Sequence, residues 1–324
     1  MGAMYLRAIP FAVTLAFATS ALPQNLPAVQ SSDAQEAIDA GAVHHIKTVF
    51  VIVMENRNWT GDGSSDIKGN TAAPYINYTL IPMASYANNY NNPPGIHPSL
   101  PNYLWMEGGD SFGVHSDDTP QQFHVNTTNH LVTLLEKAGI SWKAYEEDIS
   151  GSDCPLDSRN EYVPKHDPFV YFDDVTGHLS TKSSYCMEHI RPFTELAGDL
   201  KDGKIGRYNF ITPNECDDMH NSCGGDAVAH GDEWLKKNLP TILNSSAYRD
   251  GGAVFITWDE AAKGDGPIPM IVLSPYAKGN RYSNSAYYTH SSLLRTLQEI
   301  FGVTPMIRRA STAQDLHDLF QTFP

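Results

Sequence analysis

The chain alternates between apolar runs and amphipathic stretches. Ile46 to Met54 (IKTVFVIVM) is an almost continuous apolar run, long enough for a strand buried on both faces. Similar runs recur at Ser141–Tyr145, Gly206–Thr212, Gly252–Trp258 and Pro269–Ser274. Helical periodicity lies between them. Asn129 to Ala138 places Leu131, Leu134 and Leu135 on one face, with Thr127, Thr128 or Asn129 positioned to cap it and Gly139 to end it. Asp232–Leu243 and Ser291–Phe301 follow the same rule. Buried strands alternating with amphipathic helices predict an α/β fold with a largely parallel sheet. The stretch 60–128 reads as loop-rich insertion, and residues 44–324 as one large domain.

Composition agrees with a globular core: 41% of the 324 residues are hydrophobic and 18% charged. The 37 acidic and 22 basic side chains leave a net charge of −15. That balance speaks against nucleic acid as a partner, because phosphate-backbone binding needs clustered cations. It also speaks against adsorption to anionic membranes. It leaves small phosphorylated substrates open, since a bound cation can reverse the local field. Nothing in the composition specifies an oligomeric state.

The first residues, MGAMYLRAIPFAVTLAFATSA, combine Arg7, an apolar stretch from Ala8 to Ala18 and small residues before a cleavage position after Ala21. This predicts a signal peptide over 1–21 and a loose Ala/Pro/Gln/Ser leader over 22–43. The apolar stretch is too short to span a bilayer, and Pro10 interrupts it. Four cysteines are an even set, and nearest-neighbour pairing, Cys154–Cys186 with Cys216–Cys223, is the expected one of the three connectivities. Sequons begin at Asn58, Asn77, Asn126 and Asn244. Together these features predict a secreted glycoprotein with disulfides.

The acids matter by position more than by number. Glu55 and Asn56 follow the first strand run directly, Glu146–Asp148 the second, Asp217, Asp218 and His220 the third, and Asp259 and Glu260 the fourth. Ligands of open α/β sheets bind outside the carboxyl ends of the strands. Carboxylates converging there repel one another, and a hard divalent cation relieves that repulsion. Ser99 sits in a proline-flanked segment (GIHPSLPNY) before Leu104-Trp105-Met106, which is placed to open a helix. A helix N-terminus favours phosphate, although a simple N-cap role explains such a serine equally well. His220 beyond the third strand and His290 before the last helix are the best-placed imidazoles.

Met54-Glu55-Asn56-Arg57-Asn58-Trp59, Pro98-Ser99-Leu100-Pro101-Asn102-Tyr103, Asn214-Glu-Cys-Asp217-Asp218-Met-His220, Thr257-Trp258-Asp259-Glu260 and Thr289-His290-Ser-Ser-Leu-Leu-Arg-Thr occur in this order. In them the chain resembles the phosphoesterase family of secreted acid phosphatases and phosphatidylcholine-type phospholipases C, within the alkaline-phosphatase-like fold group. Trp142–Asp148 and His166–Phe172 resemble its acid-phosphatase branch. The resemblance implies a three-layer sandwich around a largely parallel central sheet. It implies a divalent metal, one or two ions, held by Glu55, Asn56, Asp218, Asp259 and Glu260. It makes Ser99 the nucleophile through a phosphoserine, with Asn56 and Asn102 on the phosphoryl oxygens and His220 or His290 in proton transfer. Asn58 and Trp59 depart from the family's Ser and Phe, and a glycan on Asn58 would crowd the site. Ala261-Ala262-Lys263 stands where the phospholipase branch often carries His-Gly-Gly, which favours a monoesterase over a phospholipase C or other diesterase. A non-catalytic glycoprotein is the third alternative, opposed by retention of Ser99 and the acid pair. No Gly-x-Ser-x-Gly elbow surrounds Ser99, so a Ser-His-Asp hydrolase is disfavoured.

Overall fold

The computed structural model describes residues 1–2, 44–61, 63 and 66–324. The expected cleavage position and leader lie outside the described residues. Nine strands among these residues form one sheet in the order β4-β3-β5-β1-β6-β7-β2-β8, with β9 paired to β2. They are β1 (Thr48–Met54), β2 (Ser85–Asn91), β3 (Trp142–Glu146), β4 (Ile190–Pro192), β5 (Tyr208–Thr212), β6 (Gly252–Trp258), β7 (Ile268–Leu273), β8 (Tyr282–Asn284) and β9 (Tyr288–Thr289).

The continuous apolar run of β1 has the predicted consequence. Val49 to Met54 have no exposed surface, and β1 runs parallel to β5 on one side and β6 on the other. β3 and β4 extend the parallel half. The sheet is mixed, because β7 runs antiparallel to both β6 and β2. β2 lies inside the stretch expected to be loop. Its sequence, SYANNYN, alternates too weakly to announce a strand, yet pairing with β7 buries Ala87 and Tyr90.

Four helices matter for the site: α1 (Ser99–Gly108), α2 (Leu131–Lys137), α3 (Ala227–Leu243) and α4 (His290–Phe301). The second is shorter than its periodicity predicted and follows His130, while Thr127 Oγ1 accepts from the Asn129 N–H before the helix begins. α3 begins earlier than predicted because the Asp226 side chain caps it, accepting from Val228 and Ala229. α4 is closed by a Thr289 capping box and by Gly302 in the left-handed region. Both disulfides have the expected pairing, Cys154–Cys186 and Cys216–Cys223. Among the described residues no helix is long and apolar enough to cross a membrane.

Gly231 in α3 sets the floor under the sheet's carboxyl edge. A Cβ there would lie 2.4 Å from Met219 Cγ and 2.9 Å from Met54 Cε. Gly231→Ala gains about 1 kcal/mol of helix propensity and loses about 1–3 kcal/mol to overpacking. The expected net result is a lower urea midpoint, together with reduced activity, because Met54 precedes Glu55 and Met219 follows Asp218. A midpoint at or above the wild-type value would show that the packing there has slack.

Candidate active site

Three acids are brought together by backbone bonds at the carboxyl edge of β1, β5 and β6. The Glu55 N–H donates to the Asp218 carbonyl at 2.7 Å, and the Asp259 N–H to the Met54 carbonyl at 3.0 Å. The Asn56 N–H donates to Asp259 Oδ1 at 3.0 Å. The Asp218 side chain accepts from the His220 N–H at 2.7 Å, with Met219 between them at φ +83°. Asn56 has φ +38°, so two non-glycine residues beside these acids occupy the left-handed region. Glu55, Asp218 and Asp259 have no exposed surface.

Ser99 is the first residue of α1, and Pro98 is its N-cap. The hydroxyl makes no capping bond; it donates to Glu55 Oε2 at 2.9 Å. The simple N-cap explanation therefore does not hold. One turn along, Tyr103 donates to Glu55 Oε1 at 2.7 Å. His166 stacks on the Tyr103 ring, with Nε2 at 3.3 Å from Glu55 Oε1 and Nδ1 at 3.3 Å from Asp218 Oδ2. Glu260 sits at the other side. Its Oε1 accepts from Asn56 Nδ2 at 2.8 Å, and its Oε2 from Asn102 Nδ2 at 3.2 Å and His97 Nδ1 at 2.5 Å.

Burial raises the pKa of these acids, and neighbouring carboxylates add to the rise at Glu55, Asp218 and Glu260. Desolvation, then Asp259 and Asp218, push Glu55 well above the carboxylate range. Desolvation does the same to Asp218 and takes Asp259 to about 6. Glu260 rises to about 9, through desolvation and then the Asp259 charge. The imidazole of His166 is pushed down, first by burial and then by Lys165. Asp218 Oδ2, Asp259 Oδ2 and His166 Nε2 are buried without a hydrogen-bond partner. Glu55, His166 and Asp218 each offer a ligand atom within 4.8 Å of the others. Orphaned oxygens, excess negative charge and one neutral imidazole are the donor set a divalent cation requires.

Two expected residues are placed differently from the sequence reading. His290 is fully buried; Nε2 meets the Asp259 carbonyl oxygen and Nδ1 the Tyr90 hydroxyl at 3.0 Å. Burial lowers its pKa to about 4. With both ring nitrogens engaged, it is a positioning residue under Asp259, and its proton-transfer role is withdrawn. Asn58 is 2% exposed and its amide is paired with Lys263 through both Nδ2 and Oδ1. A folded chain has no room for a glycan there. Asn77 also uses its amide internally, on the Ile67, Asn70 and Ala73 carbonyls, whereas Asn126 and Asn244 are exposed.

His220 is partly exposed, its ring centroid 6.0 Å from that of His166. His166, Tyr103, His97 and Lys165 were given no role by sequence reasoning. Tyr103 was findable, four residues beyond Ser99 on the same helix face. His166 and Lys165 come from a short turn of Pro164–His166 between β3 and β4, where no periodicity marks them.

Comparison with known proteins gives the family and the fold. The model of the Phosphoesterase family matches residues 88–304. A phosphatidylinositol-3-phosphatase of Mycobacterium tuberculosis is 27% identical over 88% of this chain and 87% of its own. A phosphate-repressible acid phosphatase of Penicillium chrysogenum is 30% identical over 65% of this chain and 51% of its own, so the chain spans half of that relative. A solved alkaline-phosphatase-superfamily protein of Vibrio parahaemolyticus superposes with TM-score 0.54 at 13% identity, over 85% of this chain and 72% of that one, a likeness of fold.

The raised carboxyl pKa values carry a pH signature. Above about pH 4 the unfolded chain releases protons that these acids keep in the cation-free fold. Stability is then lost as pH rises through about 6 for Asp259 and about 9 for Glu260. The melting temperature of chelator-treated protein should fall from about pH 5 to about pH 8, and added Mn²⁺ should raise it more at the higher pH. A melting temperature independent of both pH and Mn²⁺ would refute the cation-site assignment.

Proposed function

The chain belongs to the Phosphoesterase family and is a hydrolase of phosphoric esters; from that premise we propose that it is a secreted, metal-dependent acid phosphatase acting on phosphate monoesters through Ser99. The observation that carries this reading is the Ser99 hydroxyl donating to a fully buried carboxylate, Glu55, beside two further buried acids.

Glu55, Asp218 and Asp259, with His166, would hold the divalent cation or pair of cations. Asn56 and Glu260 bond to each other, and line the site together. When bound, the metal lowers the pKa of a hydroxyl and offsets the negative charge of phosphate. Glu55 Oε2, already the acceptor for Ser99, is placed to take its proton. Ser99 Oγ then forms a bond to phosphorus in line as the bond to the leaving alcohol breaks, giving a phosphoserine. The α1 N-terminus favours the charge on the phosphoryl oxygens, and Asn102, whose Nδ2 donates to the Ile96 and Pro98 carbonyls and to Glu260, would orient them by giving up its Glu260 bond. His220, the partly exposed imidazole, would protonate the leaving alkoxide and deprotonate the water that cleaves the phosphoserine.

The same reading covers the rest of the chain: a signal peptide over 1–21, a leader over 22–43, one catalytic domain over 44–324 with helices on both faces of its sheet, and glycans on the exposed Asn126 and Asn244. The mycobacterial relative's name favours a phosphoinositide monoester as a second substrate reading, since that alignment covers most of both chains.

Ser99→Ala should abolish turnover of p-nitrophenyl phosphate and leave the far-UV CD spectrum unchanged; substantial residual activity would remove Ser99 as nucleophile. Rates on p-nitrophenyl phosphate should exceed those on its bis ester and on phosphatidylcholine. Faster hydrolysis of the bis ester or of phosphatidylcholine would make the enzyme a diesterase, and a phosphatidylinositol 3-phosphate vesicle assay tests the second substrate.

A further inference from the structure

The backbone N–H beside the nucleophile is already occupied. α1 begins at Ser99, and the first N–H groups of a helix have no intrahelical acceptor. The Leu100 N–H donates to Asp117 Oδ1 at 3.1 Å. The second oxygen of the same carboxylate, Oδ2, accepts from Lys165 Nζ at 3.2 Å. Lys165 lies close enough to Glu55, Asp218 and Glu260 to act on their charge. One carboxylate thus spans two positive features at the nucleophile, one oxygen on each. A phosphoryl group presents two oxygens in the same way.

We propose that Asp117 is an internal anion that holds a phosphoryl-oxygen subsite, made by the Leu100 N–H and Lys165, and that a phosphate monoester must displace it to bind. The buried His166 Nε2 and Asp259 Oδ2, both without hydrogen-bond partners, independently mark the adjoining space as a ligand site. The parts are built for the exchange. On the loop between α1 and α2 the Asp117 side chain is 30% accessible, against 18% for Lys165 and none for Leu100. The Tyr171 hydroxyl holds the next carbonyl, that of Asp118, at 2.7 Å, so the Asp117 side chain can rotate away while its backbone stays. Lys165 keeps a second carboxylate, Glu215 at 3.6 Å, when Asp117 leaves. Asp117 also adds negative charge beside Glu260. Its withdrawal therefore removes repulsion toward a dianionic substrate as well as opening the two donors.

A self-occupied site binds its ligand more weakly, by the fraction of time the site is open. The inference rests on Ser99 being the phosphatase nucleophile, and the test separates the two. Asp117→Asn in the metal-replete full chain is compared with wild type by KM for p-nitrophenyl phosphate and by calorimetric titration with inorganic phosphate. Both KM and the phosphate dissociation constant should fall, by about threefold or more, and Lys165→Gln should raise both. Asp117→Ala repeats the comparison without an amide that could itself bond Leu100, with far-UV CD as the check on folding. Unchanged or raised values in both Asp117 variants would overturn the proposal and make Asp117 a residue that positions Lys165. A wild-type protein inert toward p-nitrophenyl phosphate would sink the phosphatase reading, while the phosphate titration would still decide the role of Asp117.

Discussion

Three carboxylates held without solvent at the ends of three adjacent parallel strands are the constraint on which the site depends. Parallel pairing of β1 with β5 and β6 makes their following loops leave from one edge of the sheet. Main-chain bonds from Glu55 to Asp218 and from Asp259 to Met54 then tie those loops together. The acids cannot move apart without breaking the ends of the sheet, and they cannot all be charged without a counter-charge. A proton or a cation must be present. The need for a compensating charge is in this sense a consequence of strand order.

The supporting residues can be understood from the same constraint. Tyr103 and Ser99 place two hydroxyl donors on Glu55 from one helix face. Asn56, Asn102 and His97 surround Glu260. His290 braces Asp259 from below through its carbonyl, and Tyr90 braces His290. Gly231 leaves the space that Met54 and Met219 need to hold the two loops at this spacing. Conformations with positive φ at Asn56 and Met219 are tolerated where the surrounding bonds determine the path of the chain.

The parts legible in the sequence are those with strong local patterns. Long apolar runs ending in acids located β1, β5 and β6 together with Glu55, Asp218 and Asp259. Proline-flanked Ser99 before an apolar stretch located the start of α1. The polar β2 was hidden because its burial comes from pairing with β7, which no local pattern encodes. Lys165 was hidden, and His166 was seen only as the start of a family-like segment with no role, for a related reason: a turn between β3 and β4 reaches across to β1 only in three dimensions. His290 looked like a proton-transfer group because it opens a helix after the last strand run, but full burial and two fixed partners argue against that role. Asn58 matched a sequon, and packing against Lys263 overrides the motif.

An acidic chain that handles an acidic substrate appears mismatched only when charge is counted without position. The net charge of −15 keeps polyanions at a distance. At the site the carboxylates are buried together, while the N-terminus of α1 and Lys165 beside them are positive. The two kinds of group do different work. In the proposed mechanism, carboxylates at the sheet's carboxyl edge would hold the metal, and backbone N–H groups and one ammonium would receive the phosphoryl oxygens. Asp117 belongs to neither set by location, since it is a carboxylate bonded to the groups that receive anions. It satisfies the Leu100 N–H, which has no intrahelical acceptor, and shares Lys165 with Glu215, and a phosphoryl group offers the same two bonds with a greater charge.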